Sequence, residues 1–287
     1  MSAVFRHELR SYFHSLTAYV FGAFLLAVVG LGSVLYNLQA AVSNFEFVLS
    51  FASIIFVVIV PILTMRTLAE ERRQRTDQLL YSLPITTTQV VLGKYLALLV
   101  VYLIPLAVIS LYPLLFSRFG DVYLPTSYGS LFAFFMMGAA LLAVGMFLSS
   151  LTDNQGFAAG IGVAAILLNY YSVSLAEYTS STAMGSLIAL YVIALLLGVV
   201  IRGLTRNENL AYGVTFVLIA ALSVAYFVNS SAFEGLLPDI MTKLSLFRQF
   251  NSFVNGAFDL TAIVYYVSVM GFFLFLSVQS MEKRRYN

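Results

Sequence analysis

Cysteine is absent from the sequence, which excludes disulfides, thiolate zinc sites and a cysteine nucleophile and leaves the redox compartment undefined. Tryptophan is absent too, so any aromatic belt at a membrane surface falls to the 18 Tyr and 25 Phe. Charge is the third scarcity. Asp, Glu, Lys and Arg make up 10% of the 287 residues, against about 25% in soluble domains. Too few charges are present to clothe a water-facing surface, and the chain is too apolar for disorder. The net charge of +2 gives no basic excess that would mark a nucleic-acid partner.

What is there is apolar length. Hydrophobic residues make up 61% of the chain and the mean hydropathy is +0.93. An all-α polytopic membrane protein is the class that remains, and it is read as a single membrane domain over 1–287. A spanning helix needs about 20 apolar residues. Eight segments meet that description: 16–37, 47–65, 95–117, 128–151, 156–175, 184–201, 210–228 and 260–281, none with Asp, Glu, Lys or Arg. Arg6 and Arg10 precede the first, but its length and the lack of a cleavage site mark a retained helix rather than a signal peptide. With the N-terminus in the cytoplasm, Arg6, Arg10, Arg66, Arg72, Arg73, Arg75, Lys94, Arg202, Arg206, Lys283, Arg284 and Arg285 face inward, and only Arg118, Lys243 and Arg248 face outward. The asymmetry follows the positive-inside rule and puts both termini in the cytoplasm.

Two connections are long. Residues 66–94 form the longest inner one. From Met65 on, Leu68, Leu79, Leu80 and Leu83 make an apolar stripe, and Glu70, Glu71, Arg72, Arg73, Arg75 and Asp77 a polar face. The pattern predicts a helix over 66–83 along the membrane surface. Pro84 ends it, and Thr86-Thr87-Thr88 offer caps to the next helix. A solvated connector and a docking surface for a cytoplasmic partner both fit. Residues 229–259 form the longest outer connection, where Leu236, Leu237, Ile240, Met241, Leu244, Leu246 and Phe247 alternate with Asp239, Lys243 and Arg248, as short helices in the outer interface would. At the start, 1–15 reads as an interfacial helix with Phe5, Leu9, Tyr12 and Phe13 on one face.

Gly156 and Gly160 form a small-residue step suited to helix packing, as do Gly138 and Gly145. Pro61, Pro105 and Pro113 predict kinks. Asn169, beside Tyr170 and Tyr171, is either a cavity liner or part of an interfacial patch. No phosphate-binding loop occurs: Gly93-Lys94 is followed by Tyr95, and Thr88 stands where the first glycine would be. No HExxH or GxSxG motif appears. Spans without ionisable residues argue against ion-coupled transport.

Phe5-Arg6-His7-Glu8-Leu9-Arg10-Ser11-Tyr12-Phe13 resembles the start of type-2 ABC transporter (ABC-2) permeases. Pro61-Ile62-Leu63-Thr64-Met65-Arg66-Thr67-Leu68-Ala69-Glu70-Glu71-Arg72 is the strongest match, and it resembles the subgroup of gliding-motility and nitrous-oxide-maturation permeases. Thr76-Asp77-Gln78-Leu79-Leu80, Ser82-Leu83-Pro84, Leu92-Gly93-Lys94-Tyr95, the run Gly145 to Gln155 and the tail Asp259 to Arg285 agree with it. The family core has six spans. The departure here is an extra helix pair over 184–228, so the likeness does not extend residue by residue across 170–235.

The resemblance implies a permease subunit that couples ATP hydrolysis on a separate nucleotide-binding subunit to export or another envelope process. It assigns the coupling contact to Arg66, Glu70, Glu71, Arg72, Arg73, Asp77, Gln78 and Pro84, with a smaller contact at Asp153 and Asn154. ATP and Mg would sit on the partner ATPase, with no cofactor in this chain. A second permease copy or paralogue is implied, with room for an accessory membrane subunit carrying a periplasmic domain. The expected location is the bacterial cytoplasmic membrane. A non-transporting assembly or regulatory subunit, docking a cytoplasmic partner through the same helix, is the competing reading.

Overall fold

The structure, a computed structural model, describes residues 1–74, 85–179, 181–205 and 207–285. No strand occurs among them. The chain divides into two compact units, Met1–Tyr170 with Leu246–Asn287, and Tyr171–Ser245.

In the first unit, α1 (Ser2–His14) packs Val4, Leu9 and Phe13 against the core and buries Tyr12. Ser15 is extended (φ −94°, ψ 159°) and separates α1 from α2 (Leu16–Ser33), which continues in π-helical turns over Val34–Gln39. Next come α3 (Glu46–Ser53) and α4 (Phe56–Thr64), bent by 59° from one another. The bend falls at Ile54–Ile55, ahead of the Pro61 at which the sequence predicts a kink. Ser53 Oγ donates to the Ser50 carbonyl at 2.7 Å, a back-bond that bends helices. Broken helices persist in a membrane only where protein covers the freed backbone. Here Val48, Leu49, Ala52, Phe56 and Val60 are fully buried.

After α5 (Ala69–Gln74), α6 (Thr87–Ile109) begins at Thr86, whose Oγ accepts from the Gln89 N–H at 3.3 Å. With α7 (Leu111–Phe116) it makes one candidate span, Thr87–Phe116. The most buried candidate span is α8 (Leu124–Ser149). Its small residues let neighbours approach closely: a Cβ at Gly138 would lie 2.5 Å from the Tyr102 hydroxyl, and one at Gly145 would overlap the Thr64 side chain. The Tyr102 hydroxyl donates to the Phe134 carbonyl at 2.8 Å, and that of Tyr95 to the Ala139 carbonyl at 3.0 Å. The helix α9 (Gln155–Tyr178) follows.

The last two helices, α13 (Leu246–Val254) and α14 (Leu260–Arg285), belong to the same unit. Leu246, Phe247, Phe250 and Phe253 of α13 are buried while Arg248 is exposed. Its apolar face meets the core, with the Phe250 and Phe134 rings 5.8 Å apart and Ser130 Oγ donating to the Phe253 carbonyl at 2.9 Å.

The second unit pairs α10 (Ala183–Thr205) with α11 (Glu208–Val228). Thr215 packs against Gly198, and the Tyr191 and Ser223 hydroxyls are 2.6 Å apart. Arg202 pairs with Glu208 across the turn, and Asn207 caps α11 by accepting from the Leu210 N–H at 3.2 Å. A 3-10 turn at Ser230–Phe233 leads through Gly235 (φ +70°) to α12 (Leu236–Lys243).

All eight apolar segments of the sequence fall on helices. Among the described residues, six helices are long and apolar enough to cross a membrane, and α3 with α4 make a seventh if the bent pair is one span. The apolar stretch Ala183–Val199 is shorter.

Candidate functional site

Helix α8 gives the first unit two distinguishable ends. Near its start, Ser127 Oγ donates to Glu46 Oε1 at 2.9 Å and Ser130 reaches Phe253. At its finish, Ser149 meets the α4–α5 turn, and the Ser150 carbonyl accepts from Ser280 Oγ of α14 at 3.0 Å. The segment 66–74 and the turn 151–154 therefore lie at the same end.

Ser149 does more than touch this turn. Its Oγ accepts from the backbone N–H groups of Leu68 (3.3 Å) and Ala69 (3.2 Å) and donates to the Met65 carbonyl (3.2 Å). The first N–H groups of a helix have no intrahelical partner, and here one buried hydroxyl from a distant helix supplies it. The hydroxyl also takes up a carbonyl left at the end of α4. Thr67 tightens the same turn, its Oγ donating to the Thr64 carbonyl at 2.5 Å. The start of α5 is thus pinned to α8 through backbone groups.

Two further contacts draw the neighbouring elements to this end. Lys94 of α6 is buried, and its Nζ lies 2.6 Å from Glu8 Oε1 of α1. Gly93 admits Val4 beside it, since a Cβ there would meet Val4 Cγ1 at 3.1 Å. Thr87 Oγ donates to Glu282 Oε1 of α14 at 2.8 Å. Outside this interior network, Arg6, Arg10, Arg66 and Arg73 are exposed.

The residues expected at the coupling contact fare as follows. Arg66 donates to Thr17 Oγ at 3.4 Å, Glu70 is half-buried and Arg73 is exposed. Glu71 and Arg72 lie on α5, with their side chains outside the description. Asp77, Gln78 and Pro84 lie outside the described residues. Asp153 and Asn154 are exposed, and Asn154 Oδ1 caps α9 by accepting from the N–H groups of Gly156 (2.9 Å) and Phe157 (3.3 Å).

For helix packing, a Cβ at Gly160 would meet nothing within 4 Å, and one at Gly156 only Asn154 Oδ1 at 3.4 Å. The close approach on α9 lies instead at Gly162, where an added Cβ would stand 3.0 Å from Pro61 Cβ. Asn169 Oδ1 accepts from the Leu246 N–H at 3.0 Å and so serves the start of α13. Sequence reasoning singled out none of Ser149, Glu8, Lys94 and Glu282 as a site residue. A lysine just before an apolar span carries no local sign of a partner 86 positions away.

Residues 31–181, just over half of the chain, match the family model described as ABC-2 family transporter protein, and the chain belongs to that family. No curated protein and no solved structure matches the chain.

Proposed function

We propose that this ABC-2 family member is the membrane-spanning half of an ATP-driven transporter whose motor is a separate ATPase chain. The end of the first unit that carries α5 is the docking face. Ser149 carries the reading: by holding both Met65 and the Leu68–Ala69 amides, it makes α5 a lever rooted in α8, the most enclosed helix. A displacement of α5 is then delivered into the interior, because buried and satisfied polar contacts resist sliding. Glu70, Glu71, Arg72, Arg73, Asp77 and Gln78 offer mixed charges to the partner. Such patterns set register and partner choice more than raw affinity.

The exposed arginines at this end support an orientation with this end and both termini in the cytoplasm, and the membrane of this reading is the bacterial cytoplasmic one. Eight crossings then result, six from the first unit with α9 and two from α10 and α11. ATP and Mg belong to the partner. A motor dimer needs two permease halves, so a second copy or a paralogue completes the assembly. The direction is export, or the energising of an envelope process.

The test is purification from the native membrane in mild detergent, identification of every associated chain, and assay of ATP hydrolysis. An associated ATPase, lost together with its stimulated turnover in the Glu71→Arg/Arg72→Glu variant, is the expected result. Intact, crosslinker-stabilised isolation without any ATPase would overturn the reading and favour a non-transporting assembly subunit.

A further inference from the structure

The opposite end of the first unit holds a second polar site. Glu46 opens α3 and is almost fully buried, at 1% exposure. Its Oε1 accepts from Ser127 Oγ at 2.9 Å, while its Oε2, also buried, has no hydrogen-bond partner among the described residues. A buried carboxylate oxygen left unpaired is costly unless something else serves it. Glu46 lines a cavity of about 400 Å³ together with Ser43, Asn44, Asp121, Tyr123 and Asn255. None of the described lining residues is basic.

We propose that this cavity binds a primary ammonium group. Two carboxylates set a negative field, and the Asn44 and Asn255 amides add neutral acceptors. An R–NH₃⁺ group carries three donors and no acceptor, which suits two acids and an amide carbonyl. Size argues against a bare metal ion. The volume falls in the range of about 300–1,000 Å³ typical of organic-ligand pockets, and a single water occupies about 30 Å³. Among the described residues, moreover, no group of three His, Asp or Glu is placed to hold a metal. The amine can come from a lipid headgroup or from a free solute, since both present the same group.

The experiment follows thermal unfolding of the full chain in nanodiscs of phosphatidylglycerol, titrated with ethanolamine, with tetramethylammonium or with Ca²⁺. Ethanolamine is expected to raise the melting temperature saturably, and tetramethylammonium, which has no N–H, is expected not to. In Glu46→Gln and in Asp121→Asn the ethanolamine midpoint is expected to rise by about tenfold or more, the scale of losing a hydrogen bond to a charged group. Asp121 is exposed, so its variant stays informative even where Glu46→Gln fails to fold. Discs containing phosphatidylethanolamine separate the sources: loss of the response there assigns the site to a lipid headgroup, and an unchanged response assigns it to a soluble amine. Equal responses to ethanolamine and tetramethylammonium, an Asp121-dependent response to Ca²⁺ alone, or an ethanolamine midpoint unmoved in Asp121→Asn would each overturn the proposal. None of these readouts depends on the ATPase.

Discussion

Lys94 Nζ and Glu8 Oε1 form an ion pair 2.6 Å long in which the lysine is buried to 1% exposure. It joins α6 to the N-terminal helix, and it stands at the end of the bundle where α5 is rooted. An ammonium withdrawn from water is tolerated only with a partner, so the pair dictates where α1 lies.

Removing either residue takes one charge out of this largely buried ion pair. Glu8→Gln or Lys94→Ala is expected to destabilise the protein by about 3–5 kcal/mol, whereas replacing both with apolar residues costs less than the sum of the single changes. Thermal unfolding of the two single variants and the Glu8→Leu/Lys94→Met double variant checks this. Additive losses would show that the two residues act independently.

Ser149→Ala removes the acceptor for two backbone amides and the donor to one carbonyl. Unsatisfied buried groups cost about 1–3 kcal/mol, so the fold weakens modestly. The larger effect is expected on stimulation of the ATPase proposed as its partner, with Ser149→Thr keeping more of it than Ser149→Ala. Measuring melting temperature and stimulated ATP hydrolysis on the same samples separates the two effects. Equal proportional losses in both would make Ser149 merely structural.

Glycines on consecutive helices should behave in opposite ways. Gly138→Ala drives a methyl to 2.5 Å from the Tyr102 hydroxyl, and such overpacking costs about 1–3 kcal/mol. Gly160→Ala meets open space and is expected to be neutral or to stabilise by up to about 1 kcal/mol, since alanine is the better helix former. Detergent-resistance melts of the two variants decide it, and a destabilised Gly160→Ala would mean that this face packs against another copy.

Phe250→Ala removes an aromatic ring from the core beside Phe134 and is expected to cost about 3–5 kcal/mol. Arg248→Ala, on the exposed side of the same helix, is expected to stay within about 0.5 kcal/mol. Comparable losses from both would contradict the burial of the α13 apolar face.

Much of the fold was legible in advance, for a physical reason. Lipid admits only apolar stretches with internally satisfied backbones, so the eight apolar runs fall on helices, and Thr86 caps α6 where the threonine run indicated. The apolar and polar alternation of the 229–259 connection likewise indicated short helices but not the depth of α13, since pattern alone does not say whether an apolar face meets lipid or protein. The bend before Pro61 was not legible, because a serine back-bond rather than the proline lies beside it.

The sequence by itself determined a helical membrane protein and the approximate positions of its long apolar segments. Composition and period are local, and these features follow from them. Only the tertiary structure decided that Ser149 holds the root of α5, that Lys94 is paired and buried, and that Glu46 is enclosed with an oxygen to spare. Each joins residues about 80 or more positions apart, and a contact of that kind exists only once helices from distant parts of the chain have packed side by side.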